Sequence, residues 1–156
     1  MSETKISIRR AGPEDAAAIA RLLHDFNEEY SEPTPGVEAL AGYSRQLLEE
    51  GEMDVLLAGD GPDGISLTRF RPCVWTGKPE AHLQELYVVP PLRGQGIGRV
   101  LLEATIALAR EAGATGIDLN TGETDTAARG LYESAGFSNR EGSPDGSPML
   151  FYEREI

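Results

Sequence analysis

Leu86-Tyr87-Val88-Val89-Pro90-Pro91-Leu92-Arg93-Gly94-Gln95-Gly96-Ile97-Gly98-Arg99-Val100-Leu101-Leu102 is the stretch on which the rest of the chain turns. Tyr87, Val88 and Val89 favour extended backbone, and Pro90-Pro91 stops a ladder by removing two donors. Gly94, Gly96 and Gly98 stand at alternate positions, where the main chain can approach a ligand with no Cβ in the way. From Ile97 onward, Val100, Leu101, Ala104 and Leu108 recur at helical spacing, so a helix N-terminus follows directly on the glycines. Its unbonded N–H groups and the positive end of its dipole favour an anion, and Arg93 adds a full charge. The segment therefore predicts a ligand that carries phosphate.

The type of phosphate site is narrowed by what is missing. A Walker loop needs Gly-Lys-Ser/Thr after its spacer, and this turn has no lysine. A dinucleotide fingerprint needs a small residue where Arg99 or Leu101 stands, although Asp118 lies at the distance of a ribose-binding acid. What remains is Arg-x-x-Gly-x-Gly, Arg93 through Gly96 to Gly98, after a strand ending in Val-x-Pro. A glycine-rich connector that holds nothing is the plain alternative for such a loop taken alone.

Outward from the loop, the elements fall into a regular order. Upstream, Lys5–Arg9 alternates as a strand, and Gly12-Pro13-Glu14-Asp15 opens a helix with apolar Ile19, Leu22, Leu23 and Phe26. Thr34-Pro35 starts a second helix using Leu40, Tyr43, Leu47 and Leu48. Met53–Ala58 and Ile65 to about Arg71 flank a turn rich in Gly and Asp, predicting a hairpin. Ala81–Val89 is the strand that delivers the chain to the glycines. Downstream, a helix runs to Ala112 and Gly113, and Ile117–Asn120 is a strand predicted parallel to the one at 81–89, since a helix crosses between them. Asp125 caps a helix closed by Gly136, Phe137 starts a strand, and Met149–Glu153 is the last strand. The order β-α-α-β-β-β-α-β-α-β-β predicts an α+β fold: a mostly antiparallel sheet of six to seven strands, flanked by about four helices, in one domain over residues 1–156.

A second signature sits in that order. Ala128-x-x-Leu131-Tyr132-Glu133-x-x-Gly136-Phe137 resembles the helix that closes over coenzyme A in the GCN5-related N-acetyltransferases, and the Arg93–Gly98 loop resembles their pyrophosphate loop. The resemblance covers 81–137 well and the remainder loosely. It implies an acetyl-coenzyme A-dependent N-acetyltransferase using direct transfer in a ternary complex, with acetyl-coenzyme A as co-substrate and no metal. The backbone of Tyr87, Val88 and Val89 would pair with the pantetheine arm, a backbone N–H near Val88 would bind the oxyanion, and Arg93, Gly94, Gln95, Gly96, Ile97, Gly98 and Arg99 would hold the diphosphate.

Resemblance also assigns proton carriers. Tyr132 matches the family tyrosine that serves as general acid, and a phenol, with a reference pKa of about 10, keeps its proton until a thiolate forms. Glu85 is the base candidate, because family members often place a carboxylate on this strand; a water chain is its alternative. Strict alternation places Glu85 with Tyr87 and Leu83 and puts His82 on the opposite face, and a partly buried carboxylate there would have a raised pKa. Where the family often has asparagine, three residues before Ala128, this chain has Asp125, and Asn120 could supply that contact instead.

Composition sets the outer limits. With 26% charged residues, 40% apolar and a net charge of −12, the chain reads as a globular domain without a nucleic-acid or anionic-membrane partner. One cysteine, Cys73, and two separated histidines, His24 and His82, build neither a disulfide framework nor a metal cluster. No apolar run is long enough to span a bilayer, and a cytoplasmic location is expected. Acids dominate 25–63 (Asp25, Glu28, Glu29, Glu32, Glu38, Glu49, Glu50, Glu52, Asp54, Asp60 and Asp63 against Arg45 alone), whereas bases dominate 64–99. The first segment suits a cation, so Glu28, Glu29 and Tyr30 are the substrate-binding candidates for a small cationic primary amine. A lysine or N-terminal amine of a protein, a non-catalytic acyl-coenzyme A-binding regulatory domain and a generic nucleotide-binding α/β domain stay open, as does a homodimer.

Overall fold

A computed structural model describes residues 5–156. The chain divides into two compact units, Met1–Leu119 and Asn120–Ile156.

The first unit is built on five strands: β1 (Ile8–Arg10), β2 (Asp54–Ala58), β3 (Gly64–Pro72), β4 (Pro79–Val88) and β5 (Ile117–Leu119). They lie side by side in sequence order. The first three pairings are antiparallel and the β4–β5 pairing is parallel. The parallel pair follows from α3 (Ile97–Glu111), the full helix that carries the chain from the end of β4 back to the start of β5.

Helices α1 (Ala16–Glu29) and α2 (Val37–Glu49) complete this unit. On one face of the sheet Val55, Leu57, Ile65, Leu67 and Tyr87 pack with Ile19 and Leu22 of α1, with Leu47 and Leu48 of α2 against the margin. On the other, Leu56 and Ala58 pack with Ile97 and Leu101 of α3, alongside Leu86 and Val88. Because β2 is covered on both faces, it reads Val-Leu-Leu-Ala without alternation. Fully burying one such aliphatic side chain contributes about 1.5–3 kcal/mol.

Two hydroxyls break the apolar packing. Thr105 Oγ1 lies 2.8 Å from both Leu101 O and Ser66 Oγ; its one proton goes to the carbonyl, and Ser66 donates to it. Thr68 is fully buried and its Oγ1 has no hydrogen-bond partner among the described residues. At the far end of the β3–β4 hairpin, Cys73 N–H donates to Lys78 O and Gly77 N–H to Cys73 O, both at 2.9 Å. This tight tip holds Val74 and Trp75 at 89% and 91% exposure.

In the second unit Asp125 Oδ1 accepts from Ala128 N–H at 3.1 Å, capping α4 (Thr126–Ser134) as its sequence predicts. Gly136, with φ +92°, ends the helix, and Phe137 N–H returns to Tyr132 O. The predicted strands from Phe137 and over Met149–Glu153 do not form. Residues 137–153 carry only one antiparallel bridge, Arg140 to Pro148. The ladder stops there because Pro144 and Pro148 have no N–H and the turn between them is rich in Gly and Ser. Five strands therefore replace the six to seven expected, while the α+β class and the first nine elements of the order stand. No described helix is long and apolar enough to cross a membrane.

Burying an unpaired hydroxyl costs about 1–3 kcal/mol, and valine has nearly the shape of threonine. Thr68→Val should therefore leave the fold intact and raise stability by about 1 kcal/mol, read as a higher urea midpoint with unchanged m-value by circular dichroism.

Candidate active site

The register of β4 changes the faces that alternation assigns. Leu67 pairs with Glu85 and the next residue, Thr68, pairs with Leu83, so Gln84 is an extra residue, a β-bulge. Cross-strand partners share a face. Leu83 therefore goes with Thr68, on the α3 side, and not with Glu85 as strict alternation predicts. His82, the partner of Arg69, joins Glu85 and Tyr87 on the α1 side, which corrects its expected position on the opposite face. One inserted residue has reversed the parity of the strand below it.

His82 is also in register with Asp118 of β5. Its Nδ1 lies 2.5 Å from Asp118 Oδ1, so Nδ1–H donates to the carboxylate. Arg71 Nη2 donates to the second oxygen of Asp118 at 2.9 Å, and Arg71 Nε to Glu80 at 3.2 Å. Glu85 is half-buried. Burial raises its carboxyl pKa above the ordinary value, and the nearby His82 charge opposes part of the rise. The Asp118–His82 pair was not read from the sequence; the predicted parallel pairing of these strands was the signal for it.

The other edge of β4 is only partly used. β5 pairs with it over Ala81–Leu83, and no described strand is paired to it along 84–88. At the end of the strand, Val89 N–H donates to Asp63 O at 2.9 Å. Gly64 and Val88 are therefore a non-hydrogen-bonded pair, and the N–H and C=O of Val88 face this open edge.

After Val88 a short 3-10 turn, Pro90–Leu92, leads to the glycines. Gly94 and Gly96 have φ of +79° and +86°, a left-handed backbone that disfavours any side chain, and a Cβ at either would meet nothing within 4 Å. Gly96 is the N-cap of α3 without a side-chain cap, and Val100 N–H donates to Gly96 O. The amides of the first turn therefore point out of the helix end toward the glycines. Gln95, Ile97, Gly98 and Arg99 complete this segment, with Arg99 exposed on the first turn.

Arg93 is engaged by β4 and α1. Its Nε donates to Val88 O at 2.9 Å, its Nη2 donates to Glu29 at 2.8 Å, and its guanidinium sits 5.5 Å from the Tyr87 ring centre. Tyr87 in turn stacks on Phe26 at 4.9 Å, and Phe26 meets Tyr30 at 5.4 Å. Burial raises the Tyr87 phenol pKa, and Glu29 and Asp25 raise it further while Arg93 opposes them. The C-terminal turn of α1 thus forms a wall of Glu29, Tyr30 and Phe26 beside the end of β4, with Glu28 exposed on the same turn. Phe26 was read only as a core residue.

Tyr132, Asn120 and Asp125 belong to the second unit. Tyr132 lies half-buried on α4 and makes an edge contact with Phe137 at 5.9 Å. Asp125 spends one oxygen on the helix cap, and Asn120 is exposed. Among the described residues no group of three or more His, Cys, Asp or Glu could hold a metal ion.

Residues 19–137 match the model of the Acetyltransferase (GNAT) family. The chain is 31% identical over 139 residues to the uncharacterised N-acetyltransferase YhfO of Bacillus subtilis, covering 88% of this chain and 93% of that one. It is 31% identical over 140 residues to an aminoglycoside N(6′)-acetyltransferase type 1 of Stenotrophomonas maltophilia, covering 86% and 88%. Among solved structures, an assigned acetyltransferase from Arthrobacter sp. FB24 superposes with a TM-score of 0.90 at 44% identity, covering 100% of this chain and 99% of that one.

The raised pKa of Glu85 has a consequence for stability. The native carboxyl holds its proton more tightly than the unfolded one, so stability falls as pH rises through the window just above the ordinary carboxylate range. Glu85→Gln should match the parent below that window and become the more stable protein above it. Urea midpoints measured across pH 4 to 8 (roughly the carboxylate and imidazole ranges) check this; a constant difference between the two proteins would contradict it.

Proposed function

Because the chain belongs to the Acetyltransferase (GNAT) family, we propose that it moves an acetyl group from acetyl-coenzyme A to the primary amine of a small cationic molecule, by direct transfer in a ternary complex. The observation that carries this reading is the start of α3: a left-handed glycine cap with no side-chain cap, open space at Gly94 and Gly96, and amides directed outward. Those features fit a diphosphate, which needs backbone donors at close range and no Cβ. The N–H groups from Arg93 through Arg99 would hold it. The side chain of Arg93, engaged by Glu29, would contribute charge from the side.

Acetyl-coenzyme A supplies a thioester carbonyl, which leaves three tasks to the protein's own groups. Between Tyr87 and Val89, whose N–H is already given to Asp63 O, Val88 is the residue open on this edge for the pantetheine arm, and its N–H is the donor for the oxyanion. Glu85, with its raised pKa, takes a proton from the acceptor amine. Tyr132 is the acid that protonates the leaving thiolate, and Asn120 and Asp125 are the further cofactor contacts of this reading. Glu28, Glu29 and Tyr30 form the acceptor wall. A carboxylate-rich wall favours a cation, and the Stenotrophomonas relative's name gives a polycationic substrate class for that protein.

Three measurements test the reading. Gly96→Val should weaken acetyl-coenzyme A binding by about tenfold or more in calorimetry, since it combines backbone strain with a side chain in the anion's path. Tyr132→Phe should lower kcat by roughly 100-fold while cofactor affinity stays within about twofold; loss of affinity with kcat retained would reverse the assignment. Raising salt should increase the KM for a cationic acceptor, and an unchanged KM would remove the acidic wall from the account.

A further inference from the structure

We propose that His82, with Asp118 as its positioning residue, relays the proton taken up by Glu85 from the acceptor amine out to solvent. The inference rests on the acetyl-transfer reading and adds a route that the reading lacks. A half-buried base must return its proton in every turnover, and a second titratable side chain on the same face offers a route.

Three independent features of the sheet converge on His82. The bulge at Gln84 brings it to the face of Glu85. Parallel pairing sets Asp118 beside it, and the 2.5 Å contact leaves its Nε2 as the proton acceptor. Arg71 holds the second Asp118 oxygen at 2.9 Å, so both oxygens of the carboxylate are engaged. The His82 side chain is 27% exposed, which gives Nε2 a path to water. The charges around it are Arg69 and Arg71 from β3, Asp118 from β5, and Glu80 and Glu85 on its own strand; Arg69 is itself 3.8 Å from Glu52. From α1, Asp25 and Glu29 act on Tyr87, further along the same face.

The proton balance is simple. An N–H bond of the acceptor ammonium breaks, and its electron pair stays on nitrogen as the attacking lone pair. The proton passes to a Glu85 oxygen, then to His82 Nε2, while Nδ1–H remains bonded to the Asp118 anion. The imidazolium then gives the Nε2 proton to water, and the second N–H proton, lost as the adduct collapses, replaces the one that Tyr132 gives to the leaving thiolate, so every group is back in its starting state. Asp118 acts by holding one tautomer and favouring the cation that forms, as an orienting carboxylate does for a histidine base.

The test uses thiol release from acetyl-coenzyme A with spermidine, kanamycin and a lysine tripeptide, followed by full pH profiles on the amine that turns over fastest. His82→Gln should lower kcat by roughly 10- to 100-fold and leave the KM for acetyl-coenzyme A unchanged. Asp118→Asn should move the rising limb of kcat to lower pH, because the imidazolium loses its anion. Added imidazole should restore turnover to His82→Ala, which a purely structural role would not allow. Profiles that superimpose on the parent, or a lowered Tm with kcat and its limb unchanged, overturn the relay alone. No thiol release by the parent with any of the amines overturns the acetyl-transfer reading, and the relay with it.

Discussion

Two residues of β4, Gln84 and Glu85, stand opposite the single Leu67 of β3, and the chemistry of the strand turns on that mismatch. Had the ladder stayed regular, Leu83 and Glu85 would share a face, and a carboxylate would sit in line with core leucine. The inserted residue instead lets β4 be two strands in one. Its first half keeps Ala81 and Leu83 buried on the α3 side, while its second half keeps Leu86 and Val88 there. The polar residues His82 and Glu85 are thereby gathered on the α1 side without disturbing either apolar layer. Parallel pairing to β5 ends at Leu83, where the bulge begins, so the same irregularity coincides with the open edge of the strand.

Two ion pairs join the acidic and basic segments among the described residues, Arg69 with Glu52 and the closer Arg93 with Glu29. Both side chains of the closer pair are partly exposed, and an exposed pair of this kind contributes only about 0–1 kcal/mol. Its importance lies in placement. It ties the last turn of α1 to the loop ahead of α3, and it holds the guanidinium over Tyr87, whose ring stacks on Phe26. In the structure Arg93 is a clasp between the last turn of α1 and the glycine segment.

The elements from β1 to α4 were legible because each carries local chemistry: proline and glycine punctuation, apolar spacing, and the aspartate that caps α4. The glycine loop was legible for the same reason, and the left-handed backbone at Gly94 and Gly96 supplies the physical cause. The two final strands were misread because a run of apolar residues such as 149–152 looks like a strand wherever it stands. Strand formation depends on a partner, and partners are not visible in a local window. The faces of His82 and Leu83 were misread because a bulge leaves no mark in composition; Gln84 is an ordinary strand residue. The partner of Arg93, Glu29, stands 64 residues away and was not read from the sequence. In each case what was missed is a long-range pairing.

The hairpin tip carries a practical consequence for the study of this chain. Trp75 is its sole tryptophan, and in the native state the indole already stands almost fully in water. Its emission in the folded protein should resemble that of the denatured chain, so intrinsic fluorescence is nearly blind to loss of the core. The same indole is a ready-made optical reporter for anything that settles on the outer end of the β3–β4 hairpin.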